Sequence, residues 1–540
     1  MGPYQQQVDA VGGSLGWSAL VSVVPLAVVL VLLGVLRTRA HWAALAGLAA
    51  SLVVAIAGYG MPVVPALSSA AHGAVFGFFP ILWIVINALW VFNMTVATGH
   101  FEILRESFGA LSDDRRTQAI LVAFCFGALL EALAGFGAPV AITSVMLVAL
   151  GFAPIRAAVV ALVANTAPVA FGAMAVPVIT LAQVSGLPLE LVASVVGRQT
   201  PVLALFVPLV LVFLVDGRRG LRQAWVPALT CGVVFAVGQF VTSNFLSVPL
   251  TDIVATLLAA FAVVVLGRLR PDAPWAARRP SIAAGGPGTA TAPAARGEMF
   301  RAFLPYLLIV AVFSLAQLPG IKPLLDKAVV KFHWPGLDVL TPAGKPHSTT
   351  TFSLTYLTTA GTLMLIAGLI VVPLLGVGVG RALRSYRDTL VNLRWAILTV
   401  MAVLALAYVM NASGQTTSIG MFVAGLGGAL VVLSPVLGWF GVAVSGSDTS
   451  SNALFGSLQV TAAHGSGLPP HLLAAANSSG GVLGKMLSPQ NLTIAAVSVR
   501  LDGQEGVLLR KVIGWSLGML LVLAALIGLQ ATPVLGWMLP

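Results

Sequence analysis

Three ionisable residues stand in stretches where a lipid-spanning helix would hold only aliphatic side chains. Glu131 opens EALAGFGAPVAIT, residues 131–143, inside an apolar run that begins near Thr117. Asp448 lies in SGSDTSSN, residues 445–452, and Lys485 falls near the centre of the apolar run 468–499. A charge at bilayer depth costs about 2.5–3.5 kcal/mol on insertion scales, so such a group normally faces a cavity or a partner. A poorly hydrated carboxyl that holds and releases a proton is a proton carrier, which is the chemistry Glu131 offers; a structural carboxylate bonded to the amides of the AGFGAP tip is the alternative. Lys485 is too deep to snorkel, so it suits a substrate carboxylate or serves as counter-ion to Glu131 or Asp448.

The neighbouring polar and small residues fit the same picture. Gly135 and Gly137 let the backbone turn and approach a ligand, unless they only permit close helix packing, and Pro139 suits the first turn of a returning arm. Asn165 and Thr166, with Pro168, interrupt one apolar run; Asn477 and Ser478, with Ser479, Gly480 and Gly481, interrupt another. Helices broken there would aim fresh N-terminal N–H groups at an anion. Asp448, Thr449, Ser450, Ser451 and Asn452 offer a ring of carboxylate, hydroxyl and amide groups, or else an ordinary polar loop. Arg198, in VGRQTP, either contacts substrate or snorkels to the interface.

These residues need a membrane scaffold to hold them. The chain has 540 residues, 58% of them hydrophobic and 8% charged, which excludes a soluble globular protein. Runs such as LVSVVPLAVVLVLLGVL are apolar on every side, which excludes the alternating strands of a β-barrel. The net charge of +11 is spread in clusters between apolar runs, the pattern of membrane orientation and not of nucleic-acid binding. Cys125 and Cys231 both lie inside apolar runs and read as packing residues. No P-loop, Gly-x-Ser-x-Gly elbow, His-Glu-x-x-His or metal-spaced Cys/His set is present, so an enzyme, a cofactor and a metal are not expected.

The fold class expected is an all-α polytopic membrane protein with about 12 full transmembrane helices and two re-entrant hairpins in an inverted repeat. Full spans are expected near 19–36, 40–58, 75–98, 155–184, 191–215, 224–243, 250–267, 301–318, 352–379, 395–412, 468–499 and 508–530, with hairpins at 117–152 and 419–465. The whole chain forms one transporter domain: a first half of about 1–268, a disordered linker of about 269–300 rich in Ala, Gly, Pro and Arg, and a second half of about 301–540. Arginines at 37, 39, 115, 116, 156, 218, 219, 268–301, 381–394 and 500–510 then share the cytoplasmic side and both termini lie outside, against which Lys322, Lys327, Lys331 and Lys345 sit on the outer loop. ANTAPVAFGAMAVP and ANSSGGVLGKMLSP match at Asn165/Asn477, Gly172/Gly484, Met174/Met486 and Pro177/Pro489, every pair 312 residues apart. One copy would run outward and the other inward, the arrangement from which secondary transporters build alternating access.

EALAGFGAPVAIT, NTAPVAFGAM, VGRQTP, GSDTSSNALF and GKMLSPQ together resemble the bacterial L-lactate permease family, and the likeness extends from the Gln-rich leader through the last span, departing mainly at 271–350. The resemblance implies a multi-pass symporter of the bacterial cytoplasmic (inner) membrane that imports L-lactate, with D-lactate and glycolate as related substrates, together with protons. By fold-level analogy it also implies the inverted repeats and elevator motion of a wider ion transporter superfamily. The residues suit such a substrate: its carboxylate could meet Lys485 or half-helix N-termini, its hydroxyl Asn165, Asn477 or the Ser/Thr tips, and Glu131 would carry the proton. A sodium-coupled organic-anion transporter using Asp448, and an anion channel, stay open, as do the preferred acid and a homo-oligomeric state.

Overall fold

The computed structural model describes residues 3–109, 111, 112, 114–135, 137–273, 275, 296–316, 318, 320–347 and 350–540. Most of the expected linker of about 269–300 lies outside the described residues. The chain is helical almost throughout, because inside lipid every backbone N–H and C=O must find its partner within the segment or in closely packed protein. Among the described residues, nine helices are long and apolar enough to cross a membrane. Leu189–Leu246 is one of them, and its 58 residues would extend about 87 Å, far beyond a hydrocarbon layer of about 30 Å. The backbone leaves the helical region at Asp216 and Gly217, where Gly217 has φ 58° and ψ −144°. The run therefore folds back on itself, in agreement with separate spans near 191–215 and 224–243.

Elsewhere the structure shifts the expected boundaries. The first helical hairpin runs Arg115–Leu133, turns through Gly135 and Gly137, both at positive φ, and returns as Ala138–Ala149. The second was expected over 419–465, but its arms are Leu430–Ser445 and Asp448–Ser466. Gly425, Gly427 and Gly428 interrupt the apolar run ahead of Leu430, so the helix Gln415–Ala424 is separate. The tip shrinks to Gly446 and Ser447, and Asp448–Asn452 form the first turns of a helix instead of a loop.

The 155–184 and 468–499 runs are both broken, though not symmetrically. Pro154–Ala164 ends before Asn165, a turn follows, and Ala173, Met174 and Ala175 take left-handed conformations before a right-handed helix resumes. In the second copy Pro470–Gly484 stays helical through Asn477–Gly481, where a break was expected, and the interruption comes at Lys485–Ser488. Paired glycines loosen a helix only where nothing packs on them. Here a Cβ on Gly480 would collide with Pro435 O, and one on Gly438 with Asn477 O, so these glycines bring two backbones together. Pro177 and Pro489, matched at the 312-residue offset, both stand where the returning helix takes up its course.

The two ends of the bundle differ. At one end the N-terminal strand Tyr4–Gln5 pairs in parallel with Val339–Leu340, and Val330–His333 pairs antiparallel with Thr351–Leu354. The Tyr4 hydroxyl donates to Tyr59 O and Ser413 O, which seats this cap on the helix ends. At the other end Arg115, Arg116, Arg156 and Arg219 surround a cavity of about 510 Å³ with Asp114, Asp216 and Gln223. Four of the arginines read from the sequence as one-sided thus line a single cavity, while the lysine-bearing loop lies with the cap.

Gly480→Ala and Gly438→Ala are each expected to destabilise the protein by about 1–3 kcal/mol or more, since the obstructing atoms are backbone. Gly514→Ala, with nothing near its Cβ position, should be neutral or slightly stabilising; thermal unfolding of the purified protein in detergent measures all three.

Candidate functional site

Both hairpin tips and both broken helices meet at one cavity of about 470 Å³. Its inner wall holds Glu131, Gly135, Gly172, Ala173, Asp448, Thr449, Ser450 and Lys485, and its mouth holds Arg37, Thr38, His41 and Trp395. Glu131 lies in the last turns of Arg115–Leu133 and is 3% exposed; Lys485 follows directly on Pro470–Gly484 and is 7% exposed. Lys485 Nζ donates to Glu131 Oε1 at 2.5 Å, and Asn165 Nδ2 donates to Glu131 Oε2 at 2.9 Å. Each carboxylate oxygen thus has one donor, and the ammonium has a carboxylate in a place where either charge alone would be prohibitive.

Local backbone is bent to make this contact. A Cβ at Gly172 would stand 2.8 Å from Glu131 Oε1, so only glycine leaves room for the carboxylate. The three left-handed residues that follow, Ala173 to Ala175, carry strain of about 1–2 kcal/mol each and turn the chain away from the pair. Gly135 (φ 56°) turns the tip on the other side of Glu131.

The second tip is held by a buried polar network. Asp448 Oδ2 accepts from Ser478 Oγ at 2.7 Å and from Asn452 Nδ2 at 3.4 Å. Asn452 Nδ2 also reaches Pro177 O at 3.1 Å, and Asn452 Oδ1 accepts from Asn477 Nδ2 at 2.9 Å. Gln459 Nε2 donates to Asn477 Oδ1 at 3.3 Å, and Gln459 Oε1 accepts from Ser434 Oγ at 2.8 Å. Asp448 Oδ1 is buried without a partner. Two helix N-termini also face the cavity. Ser447 caps Asp448–Ser466 by accepting from Ser450 N, Ser488 caps Pro489–Ser498 by accepting from Asn491 N, and Ser447, Pro489 and Gln490 line the wall. Their positive dipole ends and the Lys485 ammonium favour an anion in this space. Among the described residues no group of three or more His, Cys, Asp or Glu gathers that could hold a metal ion.

Of the residues singled out from sequence, Glu131, Gly135, Asp448, Thr449, Ser450 and Lys485 line the cavity. Asn165, Asn452, Asn477 and Ser478 stand directly behind it, bonded to its carboxylates or to each other. Ser451 donates to Gly438 O, and Thr166 bonds only to Val163 O within its own turn. Gly137 faces Ile494 and Asn491. Arg198 lies elsewhere: Nε donates to Asn244 Oδ1 and Nη1 to Met538 O, tying helix ends together outside the cavity. Arg37, read only as an orienting charge, and His41 and Trp395, not singled out, also line the cavity. His41 stacks on Trp395 with ring centroids 4.5 Å apart, and that pairing across 354 positions has no sequence signal.

Residues 18–534 match the family model described as L-lactate permease. The chain belongs to the L-lactate permease family. The L-lactate permease of Bacillus subtilis (strain 168) is 39% identical, covering 99% of this chain and 100% of that relative. Glycolate permease GlcA of Escherichia coli (strain K12) is also 39% identical, over 96% and 95% respectively. Among solved structures, the YdaH transporter of Alcanivorax borkumensis covers 87% of this chain and 88% of its own at 16% identity, with a TM-score of 0.45.

Lys485→Ala alone is expected to cost this permease about 3–5 kcal/mol of stability, because Glu131 would be left as an uncompensated buried charge. Glu131→Gln combined with Lys485→Met should recover most of that loss. A double-mutant cycle read by thermal unfolding checks it, and independent, additive losses would contradict the coupling.

Proposed function

We propose that this chain is a secondary active transporter that imports L-lactate and related short 2-hydroxy monocarboxylates, D-lactate and glycolate, by proton symport across the bacterial cytoplasmic membrane. The observation that carries this reading is the Glu131–Lys485 pair at the inner wall of the cavity. An incoming carboxylate competes with Glu131 for the Lys485 ammonium. Once Lys485 turns to the substrate, Glu131 is a buried anion without its counter-charge, and taking up one proton removes that cost. The substrate hydroxyl has Thr449, Ser450 and the Ser447 turn within the same wall. The loaded site then holds one lactate anion and one added proton, and its net charge equals that of the empty site. Names printed for relatives, L-lactate permease and glycolate permease, support the same substrate class.

The architecture in this reading is about 12 full crossings and two re-entrant hairpins, with halves of about 1–268 and 301–540 as inverted copies. It is supported by two crossed contacts. Lys485 of the second half reaches Glu131 of the first hairpin, and Asn452 of the second hairpin reaches Pro177 of the first half. The cavity mouth, at Arg37 and Trp395, stands on the arginine-bearing side that the positive-inside rule assigns to the cytoplasm, so the arrangement is inward-facing. One observation favours sodium coupling as a second reading: Asp448 lines the cavity and its Oδ1, buried beside Gly481, has no partner, leaving an acceptor for a cation.

In sealed vesicles, acid outside should drive uptake, with each pH unit supplying about 1.4 kcal/mol. A voltage imposed at equal pH should drive none if one proton accompanies each anion, and replacing sodium should change nothing. Glu131→Gln should retain exchange of bound substrate while losing proton-driven accumulation. Normal accumulation by a folded Gln variant would remove Glu131 from the coupling, and abolition of wild-type uptake on sodium removal would favour the second reading.

A further inference from the structure

A second carboxyl lies behind the pair, in a place the site does not use. Asp252 stands in the first turn of Thr251–Leu269 and is 0% exposed. Its Oδ1 accepts from Gln239 Nε2 at 2.8 Å, and its Oδ2 is buried with no partner. Among the described residues no Lys, Arg or His forms an ion pair with it. An anion so enclosed, with one neutral donor, has nothing to offset its desolvation, whereas a carboxylic acid with its proton on Oδ2 carries no charge to compensate.

Asp252 is joined to the Glu131 site through a single break in the backbone. Gln239 Nε2 also lies 3.4 Å from Ala167 O, and Gln239 Oε1 accepts from Thr200 Oγ1 at 3.2 Å. Ala167 belongs to the turn that starts at Asn165, the residue bonded to Glu131 Oε2. Of the titratable groups on the elements packed around Asp252, Glu131 is the one whose charge acts on it. Arg198, on the span before the bend at Asp216 and Gly217, is turned to Asn244 and Met538, while Cys125 and Cys231 hold each other at 3.6 Å. Glu190, Asp216, Arg218, Arg219 and Arg222 occupy the far ends or bends of that run, and Arg268 the opposite end of Asp252's own helix.

The position within the fold points outward. Arg268 lies sixteen residues further along, about 24 Å at helical rise, near the end where Thr117 Oγ1 donates to Trp275 O beside the arginine cavity. Asp252 therefore sits toward the opposite end, beside the short helical turns Thr242–Leu246 and Val248–Leu250. Within that segment Thr242 Oγ1 and Ser247 Oγ are buried without partners. Amides position groups but do not carry protons; hydroxyls, with water, do.

We infer that Asp252 is the proton-loading station of this permease on the face opposite the cavity mouth, passing its proton to Glu131 when substrate draws Lys485 away. The inference rests on the proton-symport reading above. In the step, the O–H bond of Asp252 breaks and one forms on Glu131, the proton crossing by water while the Gln239 and Asn165 amides only hold the two carboxyls in place: an acid and an anion become an anion and an acid, and net charge is unchanged. Water on the capped side then returns a proton to Asp252. The Thr242 and Ser247 hydroxyls are the groups through which that proton arrives.

The test uses the full chain in proteoliposomes with radiolabelled L-lactate. A one-unit pH gradient should let the wild type accumulate about tenfold. Asp252→Asn should keep exchange at equal pH near the wild-type rate while accumulation falls to unity, and Asp252→Glu should restore it. Infrared difference spectra should show a protonated carboxyl band in the wild type that Asp252→Asn lacks, a readout independent of transport. Wild-type accumulation by Asp252→Asn would overturn the inference. So would parallel loss of exchange and accumulation without rescue by Glu, which marks a structural residue, or a sodium requirement abolished by Asp252→Asn. A wild type that never responds to the pH gradient would instead reject proton symport itself, whatever the infrared band shows.

Discussion

An ammonium and a carboxylate, both almost sealed from water, must stay in contact or change partners together. Glu131 and Lys485 are 354 positions apart, and neither could stay charged at its depth alone. The rest of the interior follows from that requirement. Gly172 yields the space beside Glu131, the left-handed run after it turns the chain away, and Gly484 lets the helix that carries Lys485 lie against the second hairpin, where a Cβ would collide with Trp439 O. A buried ion pair is a poor way to gain stability, since well-packed apolar residues of similar volume serve as well or better. In the symport reading proposed above, its place at a cavity wall lets Lys485 exchange one carboxylate for another.

The two tips around this pair are built differently. The first ends in a glycine-rich turn and contributes one carboxylate, held by one amide and one ammonium. The second is pinned by Ser434, Gln459, Asn477, Ser478 and Asn452, a chain of side-chain hydrogen bonds that continues to Pro177 O in the first half. Such a network fixes geometry because every broken bond would leave a polar group dry. The strained segment and the unpartnered oxygens of Asn165 and Asp448 lie where the network meets the cavity. Strain and unmet bonding at that boundary are what a site that must bind and release would retain.

At the capped end, residues that look unremarkable in sequence close the bundle. Gln6 Nε2 donates to Asn411 O and Ala412 O, and Ser418 Oγ donates to Val8 O, so the N-terminal leader satisfies carbonyls freed where the helix Val379–Ser413 gives way to Gln415–Ala424. His72 stacks on Trp334 at 4.5 Å, joining the strand-bearing loop to the same cap. The four short strands were not expected in an all-α chain. Three of them form outside the expected spans, and Thr351–Leu354 takes the start of the span expected at 352–379, whose helix begins only at Ala360; there the backbone pairs across a loop without having to satisfy itself within a helix.

Sequence alone determined the membrane class, the helical nature of nearly every apolar run and the three charges worth following, because transfer costs in lipid are large and depend on residue type. It also marked the matched prolines at which both broken helices take up their course. Tertiary structure decided which charges meet, that Asp448 begins a helix, that Gly480 and Gly481 pack instead of breaking, and that Arg198 serves helix ends. It also raised Asp252 above the many acidic residues that simply begin a helix. Those outcomes depend on which backbones come within a few ångströms of one another, a matter of packing between segments hundreds of residues apart, on which local composition is silent.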